Sequence, residues 1–142
     1  MSIIISDVNN TLLMDRKVPN TALIDFLNKQ SSTIILVTGS DESKRDKIER
    51  RLQGSGLNYI TMYMNNTEED DDVFKYYMAQ DLMRTDEIVL AVDNSPSARR
   101  AYASLGIRTS APENIDDMSK YLLWQSAFDP RKYIPRGWST TL

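Results

Sequence analysis

Short apolar runs alternate with segments of helical periodicity along this chain of 142 residues. Three of the runs are nearly continuous in apolar residues, most of them β-branched: Ile3–Ile5, Thr33–Thr38 and Glu87–Val92. Runs of this length without alternation are typical of strands buried on both faces, as in a parallel sheet. Weaker strands are predicted at Leu57–Met62 and Ile107–Thr109, which gives about five strands in all.

Helix signals fall between these runs. They predict helices from Asn20 or Thr21 to about Lys29, from Ser40 or Asp41 to Gly54 or Gly56, from Asp72 to Met83, from Ser95-Pro96 to Ser104, and from Asn114 to about Trp124. Residues 14–19 are predicted to be a polar connection. The alternation of strands and helices predicts a single three-layer, Rossmann-like α/β domain over residues 1–142, with right-handed crossovers.

Polar side chains stand where the predicted strands end. Asp7 follows the first strand, Thr38 ends the second, and Asp93 follows the fourth, while Lys75 lies on the preceding helix. Because the carboxyl ends of parallel strands share one edge of the sheet, we expect these residues to converge there.

The composition restricts the chemistry of such a site. The chain has no histidine and no cysteine, so catalysis must rest on carboxylates, hydroxyls, amides, lysine and a hard cation. Mg²⁺ prefers oxygen ligands and is commonly held by one or two carboxylates plus a substrate phosphate. A carboxylate can also accept a phosphoryl group as an aspartyl-phosphate.

The net charge of −3 shows no excess of positive charge of the kind that binds nucleic acids or anionic membranes. No apolar run approaches the roughly 20 residues that span a bilayer, and the N-terminus lacks a signal-peptide pattern. We therefore expect a soluble, cytoplasmic protein without membrane contact.

Four segments, in order, resemble the motifs of the haloacid dehalogenase-like (HAD) phosphatases: Asp7–Leu12, Ile34–Ser40, Lys75 and Ala91–Asn94. The resemblance covers roughly residues 1–110. It implies the HAD fold and Mg²⁺-dependent phosphomonoester hydrolysis through an aspartyl-phosphate. Since only about 30 residues separate the first two motifs, no cap domain is expected, and the site should be open to large substrates.

A closer likeness involves Asp71–Lys75, Val89–Asn94 and Arg99–Ile107. These segments resemble the 3′-phosphatase domains of bacteriophage polynucleotide kinase–phosphatases, which remove phosphate from nucleoside or polynucleotide 3′ ends with Mg²⁺. The likeness implies a phosphorylated nucleotide or nucleic-acid end as the substrate.

The resemblance also implies a role for each matching residue. Asp7 would be the nucleophile and a metal ligand, and Asp93 a second metal ligand. Asn9 would occupy the catalytic acid/base position and give its backbone carbonyl to the metal. Thr38 would bind the phosphoryl group and Lys75 would position it. Further substrate contacts would come from Thr11, Gly39 and Ser40.

Three positions depart from the family pattern. Asn9 replaces the acid/base Asp, Ser40 replaces an Arg that would clamp phosphate, and Asn94 replaces the second acid of the fourth motif. An amide does not shuttle protons, and losing such a group costs about 10²–10⁴-fold in rate. Two explanations of Asn9 stay open: a naturally slow or inactive protein, or an engineered Asp→Asn change that traps the phospho-enzyme. The alternative function is an inactive HAD-fold interaction protein.

The tail from about residue 126 carries aromatic residues without periodicity, interleaved with basic ones. We expect this tail to pack on its own domain or to form a homo-oligomer contact. Base stacking is the alternative.

Overall fold

The computed structural model describes residues 2–114. Its strands are β1 Ser2–Ser6, β2 Leu13–Met14, β3 Val18–Pro19, β4 Thr33–Thr38, β5 Thr61–Met64, β6 Glu87–Val92 and β7 Thr109–Ser110. Its α-helices are α1 Thr21–Asn28, α2 Arg45–Gln53, α3 Asp71–Leu82 and α4 Pro96–Ser104, and 3-10 helices span Glu42–Lys44 and Pro112–Asn114.

Five strands form one sheet in the order β5-β4-β1-β6-β7, and every pairing in it is parallel. Strand β1 lies in the middle, where both of its edges and both of its faces are covered. This position explains why Ile3, Ile4 and Ile5 are all apolar and at most 2% exposed. The predicted α/β fold with a five-stranded parallel sheet is confirmed.

Alternate residues of the sheet build two separate hydrophobic clusters. Ile4 and Leu36 point to the face covered by α1 and α2, where they pack with residues such as Leu27. Ile5 and Val37 point to the opposite face, which α3 and α4 cover. The period of two along each strand thus separates the layers, and the predicted three-layer arrangement is confirmed.

Capping residues fix where the helices begin. The Asn20 side chain accepts a hydrogen bond from the backbone N–H of Leu23, so α1 starts at Thr21. Ser95 caps α4 in the same way through the backbone N–H of Ala98, with Pro96 in the first turn. These polar residues satisfy donors that a helix leaves free at its N-terminus.

Three sequence predictions were wrong in position or kind. The third strand is Thr61–Met64 rather than Leu57–Met62, because its parallel pairing with β4 covers Thr61 to Met64. The fifth strand is Thr109–Ser110 rather than Ile107–Thr109. Residues 14–19, predicted to be a polar connection, contain most of an antiparallel hairpin of β2 and β3.

The predicted helix from Asn114 to Trp124 and the aromatic tail lie outside the described residues, apart from Asn114 itself, which ends a 3-10 helix. The assignment of the whole chain to one domain stays a prediction. Within residues 2–114, no helix combines the length and apolarity needed to cross a bilayer.

Candidate active site

Asp7 lies immediately after β1, at the carboxyl edge of the sheet. Its backbone N–H donates to the carbonyl of Val92 at 2.9 Å, which extends the pairing of β1 with β6 by one residue. The Asp7 side chain is therefore fixed at the point where the sheet opens, with only 6% of the residue exposed.

Lys75 connects the two acids that the sequence placed at strand ends. Its Nζ lies 3.3 Å from Oδ1 of Asp7 and 2.7 Å from Oδ2 of Asp93. All three residues are buried, with Lys75 only 2% exposed. Lys75 lies one helical turn after the start of α3, which brings it to this edge, and residues 68 positions apart in the sequence thus form a direct contact.

The electrostatics of this triad are unbalanced, because two carboxylates share one ammonium. Burial raises the pKa of Asp7, Lys75 lowers it and Asp93 raises it, with a net pKa of about 6 instead of 3.8. Burial alone would lower the pKa of Lys75, but the two carboxylates outweigh it and raise that pKa above 10.5. Lys75 is thus protonated at neutral pH, and the buried site has an excess of negative charge once Asp7 is ionised.

The Thr11 hydroxyl joins the side chains of Asp7 and Asn94. The Thr11 hydroxyl lies 3.1 Å from Oδ2 of Asp7 and 3.3 Å from Oδ1 of Asn94. A threonine hydroxyl has one hydrogen, so an Asn94 amide turned to donate its N–H to Thr11 satisfies both contacts better. An Asp at position 94 has no hydrogen to give in its ionised form, and this contact therefore suits the amide.

Asn9 and Ser40, two of the positions that depart from the family pattern, contact each other. The Asn9 side-chain amide donates to the Ser40 hydroxyl at 3.1 Å, across 31 positions in the sequence. The backbone N–H of Ser40 donates to Oγ1 of Thr38 at 3.2 Å. Because Thr38 accepts here, its own hydroxyl hydrogen is free to donate toward an anion in the cavity.

An open cavity of about 300 Å³ unites most of the predicted residues. It is lined by Asp7, Asn9, Thr38, Gly39, Ser40, Lys75 and Asp93. Thr11 does not line it and is fully buried. The structure thus places Thr11 where it holds the Asp7 carboxylate, and its predicted substrate contact stays a prediction, as do the roles of the other residues.

Sequence reasoning missed two charged residues that line the same cavity, Arg16 and Asp71. Arg16 has a positive φ of 61°, next to Asp15 at 50°, in the turn between β2 and β3. Neither residue is a glycine, so the sequence held no signal for this turn. Asp71 begins α3 and precedes Lys75 by one helical turn, a spacing that could have indicated a shared face.

The donor set at this edge fits a hard cation. Asp7 and Asp93 both keep lone pairs beyond those used by Lys75, Thr11 and the backbone N–H of Ser95. No group of three acidic side chains able to hold a metal occurs within residues 2–114. A cation would therefore complete its shell with backbone oxygen, water and substrate, which is the usual mode for Mg²⁺.

Comparisons with known proteins bear on the fold. No protein-family model matches the sequence, and no curated protein matches it. Two solved structures of the Pnkp1/Rnl/Hen1 RNA repair complex contain chains similar to this one, at 16% identity and a TM-score of 0.67. The match covers 78% of this chain and 42% or 45% of those chains, so this chain spans less than half their length.

Together, the fold and the site define an α/β domain with an acidic, lysine-bridged site at the carboxyl edge of its parallel sheet. The solved structures support this fold. Their sequence identity to this chain is too low for an activity to be transferred from them.

Proposed function

We propose that this chain is a Mg²⁺-dependent phosphomonoesterase of the HAD type, which acts on phosphorylated ends of nucleotides or nucleic acids through an aspartyl-phosphate on Asp7. The observation that carries this proposal is Lys75 Nζ held between Asp7 and Asp93 in a buried, cavity-lining triad. The similarity to chains of an RNA repair complex supports a nucleic-acid substrate, as does the sequence resemblance to 3′-phosphatases.

In this proposal the Asp7 carboxylate attacks phosphorus. A bond forms between Asp7 Oδ and phosphorus while the ester bond to the leaving oxygen breaks. Lys75 keeps Asp7 ionised and offsets charge on the phosphoryl group, and the free hydroxyl hydrogen of Thr38 donates to a phosphoryl oxygen. Water then attacks the aspartyl-phosphate, releases inorganic phosphate and restores the carboxylate.

Asp7, Asp93 and the backbone carbonyl of Asn9 would hold the cation. When bound, Mg²⁺ would neutralise the excess negative charge of the site and polarise the phosphoryl group.

Asn9 limits the rate in this mechanism. Its amide supplies no proton to the leaving oxygen and removes none from the attacking water. Both protons must then be exchanged with solvent through the open cavity. The expected enzyme is slow, and restoring a carboxylate at position 9 should accelerate it by about 10²–10⁴-fold.

The test is phosphate release from 3′-phosphorylated oligonucleotides and from nucleoside monophosphates with Mg²⁺. The native chain, Asn9→Asp and Asp7→Ala are compared, with Asn10→Asp as a matched control that adds the same charge to the same cavity lining. Activity should rise in Asn9→Asp alone and disappear in Asp7→Ala. The enzyme proposal fails if neither the native chain nor Asn9→Asp releases phosphate from any of these substrates.

A second readout tests the cation without activity. Mg²⁺ should raise the melting temperature of the native chain, because a ligand at 100 times its Kd adds about 2.7 kcal/mol to the free energy of unfolding. Asp93→Asn should remove this shift. Equal shifts in both proteins would place the cation elsewhere.

A second candidate function is an interaction protein that keeps the fold and has lost the chemistry. The contact between Asn9 and Ser40 favours it, because the two residues that replace an acid/base and a phosphate clamp satisfy each other. Partner binding that survives Asp7→Ala, with no turnover by Asn9→Asp, would select this function.

A further inference from the structure

A second, smaller cavity adjoins the candidate active site. It has a volume of about 70 Å³ and shares Asn9, Arg16 and Ser40 with the larger cavity. Its remaining polar lining is basic: Lys44, Lys47 and Arg51. These three follow one another at spacings of three and four residues, which places them on one face of the helical segment that includes α2.

The cations of this basic pocket form no close ion pair in the described part of the chain, although Lys44 is near enough to Asp41 to help lower the pKa of that carboxyl. Within residues 2–114, Arg16, Lys44, Lys47 and Arg51 form no ion pair, whereas the neighbouring Arg45 pairs with both Glu42 and Glu49. Four positive charges beside one opening are unusual in a chain of net charge −3. Such a concentration favours an anionic ligand.

A hydrogen bond joins the two segments that form the pocket. The Arg51 guanidinium donates to the backbone carbonyl of Arg16, so α2 is attached to the β2–β3 turn. That turn holds Asp15 and Arg16 at φ of 50° and 61°, a conformation that non-glycine residues seldom adopt without support. The backbone of Arg16, a residue that lines both cavities, is thereby held against α2.

The size of the pocket limits what it holds. A volume of about 70 Å³ is large enough for one phosphate group. The larger cavity, at about 300 Å³, has room for the terminal phosphate and part of its sugar. The lining of that cavity also includes Asp71, which continues an acidic run from Glu68 and would repel a polyanion.

We propose that the pocket formed by Arg16, Lys44, Lys47 and Arg51 binds the phosphodiester next to the terminal phosphate of a single-stranded nucleic acid. This inference rests on the proposed phosphatase function and gives it a substrate class. The terminal phosphate lies against Asp7, and the strand leaves across Asn9 and Ser40 toward α2. A mononucleotide has no second phosphate and leaves the pocket empty.

The experiment compares a short, single-stranded 3′-phosphorylated oligonucleotide with a nucleoside 3′-monophosphate as substrates. The test variant is the pair Lys44→Met and Lys47→Met, in both the native and the Asn9→Asp chain. The control variant is the pair Lys29→Met and Arg50→Met, which removes the same charge from exposed positions that do not line the pocket. Unchanged thermal unfolding verifies that each pair folds.

The expected result is a rise of about tenfold in KM for the oligonucleotide with unchanged kcat, and little change for the mononucleotide. The control pair should change neither. Equal effects on both substrates, no effect on either, or an equal effect of the control pair would overturn the proposal.

Binding separates a failure of this inference from a failure of the proposed function. If no form hydrolyses a phosphomonoester, the affinity of the labelled oligonucleotide is measured against salt concentration. A tenfold loss in the test pair alone, with a salt slope smaller by about 0.7 for each lost phosphate contact, supports the pocket. Unchanged affinity, tighter binding of a duplex, or equal competition by a polyglutamate peptide overturns it.

Discussion

The carboxylate of Asp71 lies directly over the Cα of Gly39, so that a Cβ at position 39 would overlap Oδ2 of Asp71. Both residues line the candidate active site, one at the end of β4 and the other at the start of α3. The absence of a side chain at position 39 thus lets an acidic residue enter the cavity wall. It also explains the Gly in the Thr38-Gly39-Ser40 segment by contact with a residue far along the chain.

Replacing Gly39 by alanine should displace the Asp71 carboxylate. We expect Gly39→Ala to cost about 1 kcal/mol in the free energy of unfolding, because overpacked sites cost about 1–3 kcal/mol and Asp71 is exposed enough to move. Adding Asp71→Ala should recover most of that loss. Urea unfolding of both single variants and the double variant measures the coupling, and strictly additive effects would contradict the contact.

Lys75 should be essential for stability at neutral pH. Lys75→Met leaves two buried carboxylates without their shared cation, and removing one partner of a buried pair costs about 3–5 kcal/mol. The loss should shrink at pH 5, where the carboxyl of Asp7, whose pKa rises further without Lys75, is protonated. Chemical unfolding at pH 5 and pH 8 checks this.

The matched control for that variant is Lys44→Met, at an exposed lysine. It should change the free energy of unfolding by less than about 0.5 kcal/mol at both pH values. A pH-independent loss in Lys75→Met would mean that packing of the lysine stem, and not its charge, stabilises the fold.

Asp7 should destabilise the metal-free protein above pH 6. Its pKa is about 6 in the folded chain and 3.8 for an aspartate in an unstructured peptide, so the folded state favours the protonated carboxyl. The resulting stabilisation of the fold is complete below pH 3.8 and is lost as pH rises through 6. Asp7→Asn, which leaves Lys75 paired with Asp93 alone, should therefore be more stable than the native chain at pH 8, by about 2 kcal/mol.

Thermal unfolding in EDTA from pH 4 to pH 8 tests this sign. The two melting curves should approach each other at pH 4 and separate with rising pH. A native chain that is the more stable of the two at pH 8 would contradict the assignment. The same variant should release no phosphate from any monoester.

The hydroxyl of Tyr102 is buried in the core without a hydrogen-bond partner in the described part of the chain. The residue is 1% exposed and packs in the cluster beneath α3 and α4, and its hydroxyl has no hydrogen-bond partner within residues 2–114. Burial raises its pKa well above 10, so the phenol stays neutral.

Tyr102→Phe should consequently be neutral or stabilising by about 1 kcal/mol, since an unpaired buried hydroxyl is costly. Tyr77→Phe, at a residue 60% exposed, is the control and should have no effect. Calorimetry measures the stability of both variants. If Tyr102→Phe loses more than about 1 kcal/mol in the free energy of unfolding, the hydroxyl has a hydrogen-bond partner.

The sequence predicted the sheet well where burial is complete. β4 and β6 have the predicted limits, because a strand covered on both faces admits apolar residues at nearly every position. The edge strands were displaced, since β5 at the border of the sheet alternates and apolar residues also occur just before it, at Leu57 and Ile60. The convergence of Asp7, Lys75 and Asp93 followed from the rule that parallel strands share their carboxyl edge.

The remainder of the site depended on tertiary contacts that no local pattern encodes. Arg16 reaches the cavity through a turn without glycine that Arg51 supports from another element. Asn9 and Ser40 lie in two different loops and form a hydrogen bond with each other. In the sequence, each is only a separate departure from the family pattern. Only their proximity relates the two positions.

The central position of β1 has a consequence for how the chain is made. β1 carries Asp7 at its end and pairs with β4 on one side and with β6 on the other, and β6 ends at residue 92. On the ribosome, the nascent chain therefore exposes one bare edge of a largely apolar strand until that residue has emerged. An unpaired edge of this kind invites pairing with another chain, so exchange of β6 between two copies is the assembly error to expect.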